Sequence, residues 1–173
     1  MTTSTILYTI GHSNLSMPEL LRGLKDNRVS YIIDVRSSPR SQRYPYFDRP
    51  ALAAALGRVG IDYIYLGDKL GGKPPQTDSE AEWRQGKADP HIISKLSRTG
   101  DWADGIQRLA TLVSQRAKKY ESGCLLCSER DANNCHRLLI AFDVLNNLPD
   151  LTVDHIRPQT KGSKEVHFQK TLL

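Results

Sequence analysis

Apolar runs long enough to span a bilayer are missing from this sequence. Its first residues, Met1-Thr2-Thr3-Ser4-Thr5, also lack the basic and apolar stretches of a secretory leader. A cytoplasmic location and no membrane partner are therefore expected. Cysteine is scarce and odd in number: there are three, all between residues 124 and 135. An odd set in a chain of ordinary size argues against a secreted disulfide framework and for reduced thiols. Excess charge is small as well, with 24 basic against 19 acidic side chains and a net charge of +5. That surplus permits a phosphate-bearing small molecule or a nucleic acid as partner without requiring either. A length of 173 residues suits one compact domain, 1–173, and is short for two typical ones.

What is present is an alternation of strand-like and helix-like segments. Ile6 to Ile10 reads as a first strand ended by Gly11. Ser16-Met17-Pro18-Glu19 then carries a capping box, with proline in the first turn and Leu20, Leu21 and Leu24 as the apolar stripe. Val29 to Val35 is a run fit for a strand buried on both faces. Asp48 and Pro50 open a second helix carrying Leu52 and Leu56, Gly60 ends it, and Ile61 to Leu66 forms a third strand. Residues 67–90 turn polar and rich in glycine and proline, predicting a long loop or small helical insertion, with a lid and a homodimer contact as alternative roles that the sequence leaves open. Asp101 caps a long amphipathic helix through Ile106, Leu109, Ala110 and Val113. A strand at Cys124 to Cys127, a helix with Leu138 to Leu145 and a last strand from Leu151 to Ile156 complete the pattern, before a basic tail at 158–173. The fold class expected is α/β: a three-layer sandwich with a mostly parallel sheet of about five strands, Rossmann-like.

Parallel sheets bind ligands at the carboxyl ends of their strands, so the residues that follow each strand carry the functional reading. After the first come Gly11, His12 and Ser13. Here His12 could move a proton near neutral pH, and the backbone donors before Ser16 could face an anion. Asp34 and Arg36 end the second strand, followed by Arg40, Arg43 and Arg49 interleaved with Tyr44, Tyr46 and Phe47. Guanidinium forks bind phosphate and aromatic rings stack on bases, although the same loop could be solvated surface. After the fourth strand come Cys127, Glu129 and the Cys135-His136-Arg137 helix start.

The three thiols invite a metal reading, and alternation along the strand weakens it. Residues three apart point to opposite faces, so Cys124 and Cys127 do not share an ion, and Cys135-His136 lacks a further cysteine. No metal and no cofactor are expected. Cys127 is placed as a nucleophile would be, but Ser128 to Asn134 contains no glycine to cradle an anion, and Arg137 follows at a distance. Cys127 and Cys135 thus remain candidate thiols with packing as the competing role. Glu129 and His136 are the preferred acid–base pair.

The ordered motifs Tyr8-Thr9-Ile10-Gly11-His12-Ser13, Ile33-Asp34-Val35-Arg36-Ser37-Ser38-Pro39-Arg40-Ser41, Tyr65-Leu66-Gly67-Asp68-Lys69-Leu70-Gly71-Gly72, Leu125-Leu126-Cys127-Ser128-Glu129 and Cys135-His136-Arg137 resemble the domain-of-unknown-function family numbered 488. The resemblance runs from the first strand to His155. It implies a small bacterial or archaeal α/β domain with signature residues His12, Ser13, Asp34, Arg36, Glu129, Cys135, His136 and Arg137, and it implies no reaction. From the residues, the first expectation is a hydrolase or group transferase acting on a phosphate-bearing nucleotide or nucleic acid. In it Ser13, Arg36, Arg40 and Arg137 hold substrate, while His12, Glu129, His136 and Asp34 do the chemistry. A non-catalytic nucleic-acid-binding module, and thiol-dependent sulfur transfer or redox chemistry through Cys127 or Cys135, stand as alternatives.

Overall fold

The computed structural model describes residues 5–72 and 100–157. Five strands form one sheet: β1 (Thr5–Gly11), β2 (Val29–Asp34), β3 (Asp62–Tyr65), β4 (Ser122–Cys127) and β5 (Leu151–Ile156), in the order β3-β2-β4-β1-β5. Every pairing is parallel. The chain thus has the α/β architecture with a parallel sheet. β4 enters between β1 and β2, and β5 then crosses beyond β1. Three strand ends, those of β1, β2 and β4, therefore stand side by side where the winding reverses, which is where such sheets open a crevice.

Helices cover both faces. On one, α1 (Met17–Asp26) and α2 (Arg49–Gly57) press Leu20, Leu24, Leu52 and Leu56 onto Ile10, Ile32, Cys124 and Leu126. On the other, α4 (Gly100–Ala117) and α5 (His136–Asn147) bring Trp102, Ile106, Leu109, Ile140 and Val144 against Leu7, Ile33, Leu125 and Cys127. The one-turn helix α3 (Gly67–Leu70) adds Leu70 to that second core. Each such leucine or isoleucine, removed from water, contributes about 1.5–3 kcal/mol. Cys124 and Cys127 fall in different cores, as period-two alternation requires.

Local signals worked where their chemistry was complete. Ser16 accepts from Glu19 N–H while the Glu19 carboxylate accepts from Ser16 N–H at 2.7 Å, so the α1 start is closed by its own capping box. The backbone donors before it, where an anion was expected, are engaged by protein oxygens: His12, Ser13 and Leu15 N–H donate to the Cys127, Ser128 and His12 carbonyls. Gly60, at φ +74°, terminates the α2 segment. Asp48 departs from expectation: it flanks α2 without a side-chain cap bond and instead accepts from Ser41 N–H at 2.7 Å, folding the arginine-rich loop back. Asp101 lies inside the first turn of α4 rather than ahead of it, facing Lys69 with Asp104. The stretch from residue 67, expected as a long loop or small helical insertion, begins as helix α3. The rest of that insertion beyond Gly72, and the tail at 158–173, lie outside the described residues.

Candidate functional site

Two networks meet at the ends of β1, β2 and β4. In the first, the fully buried Asp34 carboxylate accepts from Arg36 Nε at 2.9 Å, Arg36 Nη2 at 2.6 Å, Arg36 N at 3.1 Å and Tyr63 Oη at 2.6 Å. Arg36 Nη1 donates to the Phe47 carbonyl at 3.0 Å. His12 stacks on Phe47 with centroids 4.1 Å apart. Its Nδ1 lies 3.2 Å from the Ser13 carbonyl, which can only accept, so Nδ1 carries the proton and Nε2 accepts from Arg36 Nη1 at 3.3 Å. Burial first and the Arg36 charge second push the His12 pKa down to about 4. His12 is thus a neutral brace near pH 7, and its expected proton shuttling has little driving force there.

The second network is sulfur-centred. His136 Nε2 lies 2.9 Å from the Val35 carbonyl, so it carries the proton and turns Nδ1 toward the thiols. Both Cys127 Sγ and Cys135 Sγ lie 3.8 Å from that one nitrogen. All three residues are buried. A hydrogen bond from the Cys135 thiol, followed by the His136 charge and a Glu129 backbone donor, holds Cys127 well below the ordinary thiol range against the pull of burial. Cys135 moves up, because it is the partner that keeps its proton and is itself buried. Burial works against charge on His136, but the Cys127 thiolate and the Val35 hydrogen bond outweigh it and raise its pKa. Cys124, enclosed in apolar surroundings on the opposite face of β4, is pushed far upward and inert.

Tight backbone approaches frame this group. A Cβ on Gly72 would sit 2.5 Å from His136 Nδ1, and one on Gly11 would overlap the Glu129 carbonyl, so only glycine lets these segments close onto the His136 ring and onto the loop after β4. The networks also adjoin each other: His12 N–H donates to the Cys127 carbonyl at 2.9 Å, and the Val35 carbonyl held by His136 lies between Asp34 and Arg36.

Arg137, 1 % exposed, donates to the Glu129 carbonyl, to the Arg130 carbonyl at 2.9 Å and to Thr9 Oγ1 at 3.3 Å. It clamps the loop between Cys127 and Cys135 onto β1. Both arginines expected to grip an anion, Arg36 and Arg137, are therefore engaged with protein oxygens. Ser13 is half-buried at φ +40°, its N–H on the Ser128 carbonyl at 2.9 Å, and Arg40 is exposed. Glu129 is an exposed residue whose carboxyl is raised first by partial burial and then by the nearby Cys127.

Donor atoms of Cys127, Cys135 and His136 lie within 4.8 Å of one another, a set a thiophilic ion could use. A closed structural zinc site takes four ligands, and among the described residues no fourth joins these three. Two cavities, of about 400 Å³ beside Arg28 and Ile61 and about 360 Å³ beside Val113 and Leu151, open at the amino ends of the strands, away from this chemistry.

Residues 16–142 match the family model described as domain of unknown function DUF488. The chain belongs to the DUF488 family. The DUF488 match takes in Asp34, Arg36, Cys127, Glu129, Cys135, His136 and Arg137, and leaves His12, Ser13 and β5 outside it. No curated protein and no solved structure matches the chain. Among the described residues no helix is long and apolar enough to cross a membrane.

Sequence reasoning missed the convergence of Cys127 with Cys135, the Tyr63 bond to Asp34 and the role of Gly72. The first had a signal: a thiol at a strand end and a second at the start of the helix that packs back on that strand. The other two depend on tertiary proximity alone.

Proposed function

We propose that this DUF488 chain is a thiol-dependent enzyme in which Cys127 is the nucleophile and His136 its acid–base partner. The observation that supports it is the single imidazole nitrogen placed 3.8 Å from two sulfurs, with its other nitrogen tied to a backbone carbonyl. In the first step the Cys127 Sγ electron pair forms a bond to an electrophilic sulfur, oxygen or carbon of a small substrate. The leaving group departs with the electrons of the broken bond and takes the proton from His136 Nδ1. Asp34, Arg36 and His12 hold the backbone on which this pair sits. This reading comes ahead of phosphate hydrolysis because Arg36 and Arg137 are engaged with protein oxygens.

Peptide-resolved alkylation of the native protein with iodoacetamide at pH 6.5 provides the test. Cys127 is expected to react at least about tenfold faster than Cys124, with a rate that levels off below the usual thiol pKa because its thiolate is already formed. Cys127 reacting only after denaturation sinks the reading.

A second reading, binding of an anionic or aromatic partner such as nucleic acid, draws on the exposed Arg40, Arg43 and Arg49 and on Arg49 lying 4.4 Å over the Tyr65 ring. It expects oligonucleotide affinity that falls steeply with salt and drops further in Arg40→Ala/Arg43→Ala. Salt-independent or undetectable binding removes it.

A further inference from the structure

The geometry points to Cys135 as the resolving thiol of a dithiol–disulfide reaction: the site reduces a small organic disulfide by two electrons and closes a Cys127–Cys135 disulfide. The inference rests on Cys127 being the nucleophile, and adds the second half of the cycle and the substrate class.

Three features of the structure carry it. The two sulfurs share one imidazole nitrogen at 3.8 Å each, and with it lie within 4.8 Å of one another, so closing to a bond of about 2.05 Å asks for a rotamer change and a small shift of one segment. The segment that can shift is the Cys135 side. It follows a 3₁₀ turn at Ala132–Asn134 and adopts extended backbone at φ −139° and ψ 140°, whereas Cys127 is fixed in register opposite Gly11 in the sheet. The third is the role of His136, adjacent to Cys135 and at the first turn of α5, where the helix N-terminus favours negative charge on a nearby sulfur.

The steps balance. Cys127 Sγ attacks one sulfur of R–S–S–R, forming Cys127–S–S–R and releasing RS⁻, which takes a proton from His136. Once Cys127 is bonded, its negative charge no longer opposes ionisation of Cys135, and His136 Nδ1 is placed to receive the Cys135 proton. Cys135 Sγ then attacks Cys127 Sγ, the intramolecular disulfide forms, and the second RS⁻ leaves and is protonated. Two thiols of the protein are oxidised and one substrate disulfide is reduced to two thiols. A thiol reductant must restore the enzyme, so the reaction class feeding this site is thiol–disulfide exchange.

The test treats the full-length reduced protein with glutathione disulfide, followed by intact mass and non-reducing peptide mapping. The wild type is expected to lose the mass of two hydrogen atoms, with Cys127 linked to Cys135 and Cys124 free. Cys135→Ser is expected to stop with one glutathione on Cys127. A wild type that also stops at the mixed disulfide overturns the resolving role while leaving Cys127 as nucleophile. A Cys127 that takes no glutathione in either protein overturns both. Stoichiometric zinc in the purified protein, with thiols that react only after chelation, overturns the inference in favour of a metal site.

Discussion

Arg36→Ala is expected to destabilise the protein by about 3–5 kcal/mol, lowering its melting temperature by roughly 10 °C. The Asp34 and Arg36 side chains are 0 % and 2 % exposed, and their closest atoms stand 2.6 Å apart. Truncating the arginine leaves the carboxylate inside the protein with Tyr63 Oη as its remaining side-chain donor among the bonds described above, and strips the Phe47 carbonyl and His12 Nε2 of theirs. An unpaired buried charge is the costly outcome. Removing both partners at once is not, because desolvation of the pair offsets much of its mutual attraction. Asp34→Leu/Arg36→Met is therefore expected to lose clearly less than Arg36→Ala. Urea denaturation of the three proteins measures this. A loss below about 1 kcal/mol in Arg36→Ala would show that water reaches Asp34 and that the pair does not hold the strand ends together.

His136→Asn is expected to slow the attack of Cys127 on a small disulfide by about a hundredfold at pH 6.5, the lower part of the range for a positioned acid–base group. The loss combines a smaller thiolate fraction with the missing proton for the departing thiolate. The sign of the pH dependence follows from the site. Cys127 is held below its ordinary range, so the wild type reacts before that range is reached, and the variant gains rate only as pH rises through it. Convergence of the two rates near pH 9 shows that His136 acts by raising the thiolate fraction of Cys127, in addition to the hydrogen bond from Cys135. A constant ratio at every pH assigns it a packing role instead. Release of product thiol in single-turnover experiments with Cys135→Ser as background isolates the first step from resolution.

Element types were legible because each rests on local chemistry. The capping box at Ser16, the apolar runs of β2 and β4 and the left-handed Gly60 signal themselves within a few residues. Alternation even assigned Cys124 and Cys127 to opposite faces without a structure. The site was legible as a set of strand ends, and much less so in its roles. Arg36 and Arg137 read as anion ligands because a guanidinium after a strand is chemically suited to one. The fold instead turns Arg36 onto the carboxylate two residues earlier and Arg137 back onto the loop before it. His12 read as a proton carrier because its ordinary pKa is near neutral, until burial against Phe47 and Arg36 moved it to about 4.

Cys135 shows the boundary between the two levels most clearly. Its sequence neighbours mark it as a candidate thiol at a helix start, without fixing which groups it meets. Its place beside Cys127 and His136 depends on β4 being inserted beside β1, on α5 packing over that strand, and on Gly72 leaving room above the imidazole. The sequence by itself determined a parallel α/β sheet and put histidine, carboxylate, arginine and thiol just after its strands, where they were expected to meet, because alternating strands and helices allow few other arrangements. Only the tertiary structure decided that the arginines are tied up and the thiols share a histidine. Hydrogen-bond partners and burial are set by distances across the sheet, and no spacing along the chain encodes them.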